Sequence, residues 1–135
     1  MSSPPPRRGS WFNRIGIAVA IGFVVLIAHT FFQVYEDRRA RERTEAILAD
    51  ARPYQAEVVR ALQARTPVPV TQKVPRHARS MSARADGTIV IEVADAMMPG
   101  GRMTLRPSTN AKGEPMWTCA AEKIRPALLP AWCRT

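Results

Sequence analysis

Cys119 and Cys133 are the two side chains of this 135-residue chain best suited to covalent chemistry with each other. Thiols pair in oxidising compartments and stay reduced in the cytosol. A zinc site would need about two further ligands, and neither His29 nor His77 is close to the pair in sequence. If this end of the chain lies outside the cytoplasm, a disulfide is the natural reading. His77 sits beside arginines at the end of a linker and reads as an exposed residue. There is no Gly-x-Ser-x-Gly, no glycine-rich phosphate loop and no cluster of metal ligands. Those are the arrangements that activate a nucleophile, cradle a phosphate or hold a cation, so we expect no catalysis, no metal and no cofactor.

The remaining chemistry is electrostatic. Twenty Lys and Arg oppose eleven Asp and Glu, a net charge of +9. Such an excess favours lipid headgroups, nucleic acid or acidic surfaces. Residues 66–135 alone hold ten basic and five acidic side chains. They could meet DNA through phosphates, with strong salt dependence. No series of aromatic residues accompanies them for base stacking, so a solvated basic surface is the plainer reading.

These groups have to be positioned by the rest of the chain, and residues 15–32 dominate it. They contain no charged side chain, and Arg14 and Glu36 bracket them. Eighteen helical residues span roughly 27 Å at about 1.5 Å each, close to the ~30 Å hydrocarbon core of a bilayer. The run is apolar on every side, unlike the single stripe of a soluble helix. It reads as a transmembrane helix, and it is too long for the core of a cleaved signal. Gly16, Ala18 and Gly22 are small, and Ala18 and Gly22 form the small-xxx-small spacing that lets membrane helices approach. His29 and Thr30 are polar, near the outer end, and read as interface residues.

Residues 1–14 are basic and proline-rich, a disordered cytoplasmic tip with Trp11 and Phe12 at the lipid interface. Arginines flank the span on both sides, so the positive-inside rule does not decide orientation. The cysteine pair points to a periplasmic C-terminal domain. The expected location is therefore the inner membrane, single-pass, with the N-terminus cytoplasmic.

Residues 33–65 continue the helix with strong helix formers. In its first part apolar residues recur at Val34, Tyr35, Ala46, Ile47 and Ala49, with the charges between them facing water. Pro53 should kink or restart the helix, after which Tyr54, Val58, Ala61 and Leu62 share one face. The helical part should thus run from about Phe12 to Arg65. Residues 66–76, rich in proline, form an extended linker. Residues 77–135 carry strand signals. They are a weak alternation over 77–85 closed by Asp86-Gly87, a β-branched run over 88–93 with Ile89, Ile91 and Val93 inward, an alternation over 102–106 with Met103 and Leu105 inward, and 114–119 with Trp117. Residues 107–113 read as a loop. The expected fold is α+β: a long N-terminal helix, half transmembrane and half amphipathic, laid on an antiparallel sheet of about four strands.

At this level the chain resembles the type IV pilins. The resemblance rests on Gly101, Leu105 and Pro107 in Gly-x-x-x-Leu-x-Pro, on Gly113, on Trp117-Thr118-Cys119, and on Pro130-Ala131-Trp132-Cys133-Arg134. Residues 34–46 and Pro53 also resemble the helix of that family. It implies the type IV pilin fold, a Cys119–Cys133 bond closing a terminal loop, and a structural subunit of a pilus system acting in adhesion, motility or DNA uptake. Other pilins or pilus assembly proteins would be partners through the N-terminal helix, along with the inner membrane and, at the surface, a host surface or DNA. The protein would then also occur in an extracellular fibre. The loop's polar residues Glu122, Lys123 and Arg125 become candidates for a recognition surface, against the simpler role of a structural staple. The resemblance stops at the N-terminus, where neither register supplies the family's Glu: in one Gly16 takes its place and Trp11 that of the cleavage-site Gly, and in the other, cut after Gly9, Arg14 takes its place. A membrane-anchored accessory protein that uses this fold without polymerising is the alternative.

Overall fold

The computed structural model describes residues 9–70, 73–96 and 98–134, with side chains from residue 14 onward. The N-terminal tip to residue 8 and the interfacial placement of Trp11 and Phe12 lie outside what is described. Helix α1 spans Gly9–Ala64. It starts three residues ahead of the expected Phe12, so residues 9–14 are helical and not part of an unstructured tip. With no proline after Pro6, nothing there removes a helical donor.

The chain divides into two compact units, 1–36 and 37–135. In the first, the helix is long and apolar enough to cross a membrane. Its large side chains are exposed, from 38% at Ile27 to 72% at Phe31. Such a segment is compatible with a membrane anchor.

In the second unit the helix buries Ala40, Thr44, Ile47, Leu48, Ala51, Tyr54, Val58 and Ala61. These positions recur every three or four residues, a single face at helical period. Ala49 is exposed and Ala46 only half-buried. The buried face ahead of Pro53 therefore runs through Thr44, Ile47 and Leu48: of the residues expected there Ile47 belongs to it, while Val34, Tyr35 and Ala49 are exposed. The helix neither stops nor restarts at Pro53. Both Pro53 and Ala49 are exposed, so the Ala49 carbonyl that loses its amide partner faces water, where the loss is mild. The helix ends at Ala64, one residue before the expected Arg65. Thr66 N–H donates to the Ala61 carbonyl at 2.9 Å and Arg65 N–H to that of Leu62 at 3.2 Å, with Arg65 left-handed at φ 55°. This pair of bonds is the Schellman closure, and Pro67 follows.

The sheet is an antiparallel meander of β1 (Ala78–Ala83), β2 (Ile89–Val93), β3 (Arg102–Thr109) and β4 (Pro115–Glu122), in that spatial order. Its inner face is built from cross-strand rows. Ala83, Ile89, Leu105 and Cys119 align in one, and Met81, Ile91, Met103 and Ala121 in the next. Ile89, Ile91, Met103 and Leu105 are fully buried, beneath the helix face. The α+β arrangement expected from the sequence is thus the one observed. Strand β3 runs on through Pro107, which was expected in a loop. Pairing with β2 ends at Leu105, while β4 pairs onward to Thr109. Beyond Leu105, β3 is an edge on its β2 side, where a missing amide is tolerated.

The β1–β2 turn shows how closely the sheet meets the helix. Asp86 Oδ1 and Oδ2 accept from the amide and hydroxyl of Thr88 at 3.0 and 2.9 Å, and Gly87 takes φ +84°. A β-carbon on Gly87 would lie 2.6 Å from Leu62 Cδ1 and 3.0 Å from Pro107 Cγ. Gly87→Ala therefore combines left-handed strain with overpacking against α1 and β3. We expect it to lower stability by roughly 2 kcal/mol, measurable as a lower Tm by circular dichroism of the detergent-solubilised chain. An unchanged Tm would mean that the turn does not meet the helix.

Candidate functional site

Cys119 and Cys133 are bonded, with their Cα atoms 4.8 Å apart. That separation suits a disulfide. Cys119 stands in β4 beside Leu105, and Cys133 ends a short 3₁₀ turn, Ala131–Cys133, preceded by another at Pro126–Leu128. The segment enclosed is more than a surface loop. Ile124, Leu128, Leu129 and Cys133 are buried in the same core as the helix face and the strands. Alternation could not reveal them, because the segment has neither helical nor strand period. Arg134 Nε donates to the Leu129 carbonyl at 2.9 Å and holds the end of the loop.

The three loop residues singled out from the sequence are all exposed, but they do not converge. Glu122 is the last residue of β4 and lies 3.8 Å from Arg102, which is 3.5 Å from Glu92. Lys123 turns the chain out of the strand with φ 57°. Arg125 is ion-paired with Asp37 on α1. These pairs are solvent-exposed, a class worth about 0–1 kcal/mol each, so they orient the loop more than they stabilise it. In the first unit, Gly16, Ala18 and Gly22 lie on the exposed helix, and a β-carbon on either glycine would meet open space. The polar residues near the end of the apolar run are satisfied locally. Thr30 Oγ1 donates to the Ile27 carbonyl at 2.8 Å, and the His29 and Gln33 side-chain nitrogens are 3.0 Å apart.

Several ties were not anticipated. Arg43 Nη1 donates to Asp95 Oδ2 at 2.7 Å, and the Asp95 side chain is 2% exposed. Its neighbour Thr44, fully buried, donates to the Ala40 carbonyl at 3.0 Å and lies 3.8 Å from Met98 Sδ. Together they fasten the β2–β3 connection to the helix. Tyr54 Oη donates to the Pro69 carbonyl at 2.6 Å, fastening the proline-rich linker. Asp50 accepts from the backbone N–H of Arg76 at 3.2 Å and from its guanidinium at 3.3 Å. These pairs join residues far apart in sequence, and no local pattern announces them.

The Arg76 backbone and side-chain donors hold the Asp50 carboxyl below its ordinary range, and the Thr88 amide and hydroxyl do the same for Asp86. A carboxylate depressed in the folded state contributes stability above its unfolded pKa of about 3.9, and the contribution is lost as pH falls through the lower folded value. Among the described residues no group of three or more His, Cys, Asp or Glu is placed to hold a metal ion. No protein-family model matches the chain, and neither the curated proteins nor the solved structures contain a match.

Two measurements follow from this geometry. Cys119→Ser with Cys133→Ser should lower stability by about 3 kcal/mol in the loop-entropy account; a Tm unmoved by the double substitution would leave the bond no structural role. On acidification below about pH 4 the protein should lose stability. Asp50→Asn should be less stable than the parent at neutral pH and should vary less across that acid range, as followed by melting curves at stepped pH. Parallel curves for the two proteins would contradict the assignment.

Proposed function

We propose that this chain is a pilin-like structural subunit of a type IV pilus system, without catalysis, anchored in the inner membrane with residues 37–135 on the periplasmic side. The observation that carries this reading is the order of its parts. An apolar N-terminal helix continues without interruption into a half that covers a four-stranded antiparallel meander, and a C-terminal disulfide closes the chain onto the last strand. A bare apolar helix joined to a folded cap suits a subunit that is stored in a membrane and packs its helix among others.

The residues behind the family resemblance each meet a physical demand, which supports the same reading. A β-carbon on Gly101 would lie 3.0 Å from Ile124 Cγ1 and from the Met98 carbonyl oxygen. Leu105 is fully buried in the core. Pro107 stands where β3 has lost its β2 neighbour, and Gly113 takes φ +80° in the β3–β4 turn.

A second reading is favoured by a specific residue. Gly16 stands where the family's membrane carboxylate would be expected in one register. Without that charge, a subunit would lack one attraction that draws helices into a fibre. A membrane-anchored accessory protein of this fold, which recognises a partner without polymerising, fits that absence. Adhesion, motility and DNA uptake all remain open to either form.

Expression with a complete pilus machinery separates the readings. For the subunit, mass spectrometry should find the N-terminal tip removed and the protein present in sheared surface fibres. An intact Met1 with no signal in fibres would exclude the polymerising subunit and leave the accessory protein. Exposure of the C-terminus to the cytosol, read by protease protection in spheroplasts, would overturn both.

A further inference from the structure

Between the helix and the cystine loop lies a cleft of about 360 Å³ that has no part in the assembly reading. It is lined by Leu48, Arg52 and Gln55 of α1, by Trp117 of β4, and by Pro130 and Trp132 of the loop, with Glu45 at its margin. Trp117 is half-buried and packs against the core. Trp132 is 52% exposed, although the residue beside it, Cys133, is fully buried and bonded to β4. The disulfide and the 3₁₀ turn therefore hold a large indole at the mouth of the cleft. Two tryptophans and a proline provide flat apolar surface. Arg52 and Gln55 make no hydrogen bond or ion pair among the described residues. Glu45 also lines the cleft and accepts from Arg41 Nε through Oε1 at 3.1 Å.

We propose that this cleft binds a saccharide, one or two rings of an oligosaccharide. Indole faces carry negative quadrupolar charge, and the C–H groups on one face of a pyranose ring are weakly positive and apolar. The polar groups at hand are planar forks: a guanidinium, a primary amide and a carboxylate. The guanidinium can donate to two neighbouring hydroxyls and the amide can donate to one and accept from another, while the Glu45 carboxylate, shared with Arg41, can still accept. A proline-rich peptide also docks on aromatic grooves, but between its side chains it offers the cleft only carbonyl acceptors. Glu45 and the Gln55 carbonyl would then be left unmatched. Hydroxyls satisfy all three. The volume falls at the low end of the range for small-ligand sites, which suits a sugar or two. This assignment stands apart from the pilus reading, because it concerns what residues 45–132 bind and not whether the chain polymerises.

The test uses the full chain in a detergent without a sugar headgroup, such as lauryldimethylamine oxide. A printed array of bacterial and animal cell-surface oligosaccharides is probed first. The retained glycan is then titrated against tryptophan fluorescence. We expect a retained glycan that shifts the emission, with Kd weakened at least tenfold by Trp132→Ala and by Arg52→Ala. Lys112→Ala, in the distant β3–β4 turn, should leave Kd unchanged. Because Trp132 and Arg52 are exposed, both variants should keep the parental melting curve; Trp132→Phe, with a smaller ring, should restore part of the affinity if the alanine variant unfolds. Failure of the parent chain to retain any glycan would overturn the proposal. So would retention that neither substitution weakens, or saturable binding of an oligoproline peptide in place of glycans.

Discussion

One face of a small meander sheet has to be kept from water, and the rest of the second unit is arranged around meeting that need. Ile89, Ile91, Met103 and Leu105 form an apolar floor with no exposure, each worth about 1.5–3 kcal/mol when removed from water. The cover is the helix face from Ala40 to Ala61. Ala40, Ala51 and Ala61 are buried on it with Ile47, Leu48, Tyr54 and Val58. Gly87 marks how near the two layers approach, since even a methyl group there would collide with Leu62. The strands are short and two of their ends are open, so the sheet would be marginal alone.

The terminal segment completes this cover. Ile124, Leu128 and Leu129 enter the core beside β4, and the disulfide holds Cys133 against that strand. For a domain of about 100 residues, where buried area is limited, a staple that also brings three apolar side chains inside acts twice. It restricts the unfolded chain and enlarges the folded core. The same anchoring leaves Trp132 outside, because successive residues of a tight turn cannot all face inward. An exposed indole on a rigid support is thus a by-product of how the loop is closed, and it is available for recognition.

Polar ties decide how the connections cross the helix. Every buried side-chain nitrogen and oxygen among the described residues has a partner. The Arg43–Asp95 pair is largely enclosed, its carboxylate only 2% exposed. Burial of such a pair costs desolvation that its attraction roughly offsets, so its effect is to select one arrangement of the β2–β3 connection. Tyr54 with Pro69 and Asp50 with Arg76 do the same for the proline-rich linker, which has no ladder of its own. In the first unit, by contrast, Thr30, His29 and Gln33 bond within the helix.

Much of this was readable in the chain itself. The membrane-length helix, the strands around residues 89–93 and 102–106, the inward Ile89, Ile91, Met103 and Leu105, and the stripe Tyr54, Val58, Ala61 follow from period, since neighbours along an element settle which side turns inward. Pairing of the two cysteines followed from compartment chemistry together with a family resemblance. Period placed Ile47 but not the rest of the face ahead of Pro53, because alanine carries little signal and a buried threonine reads as polar. Nor could it show that Pro107 belongs to β3, which depends on where β2 stops. The core residues of the terminal loop, the Asp95 and Asp50 partners and the tryptophan cleft are contacts between residues tens of positions apart. Such contacts exist only once the helix lies on the sheet, and tertiary packing alone decided them.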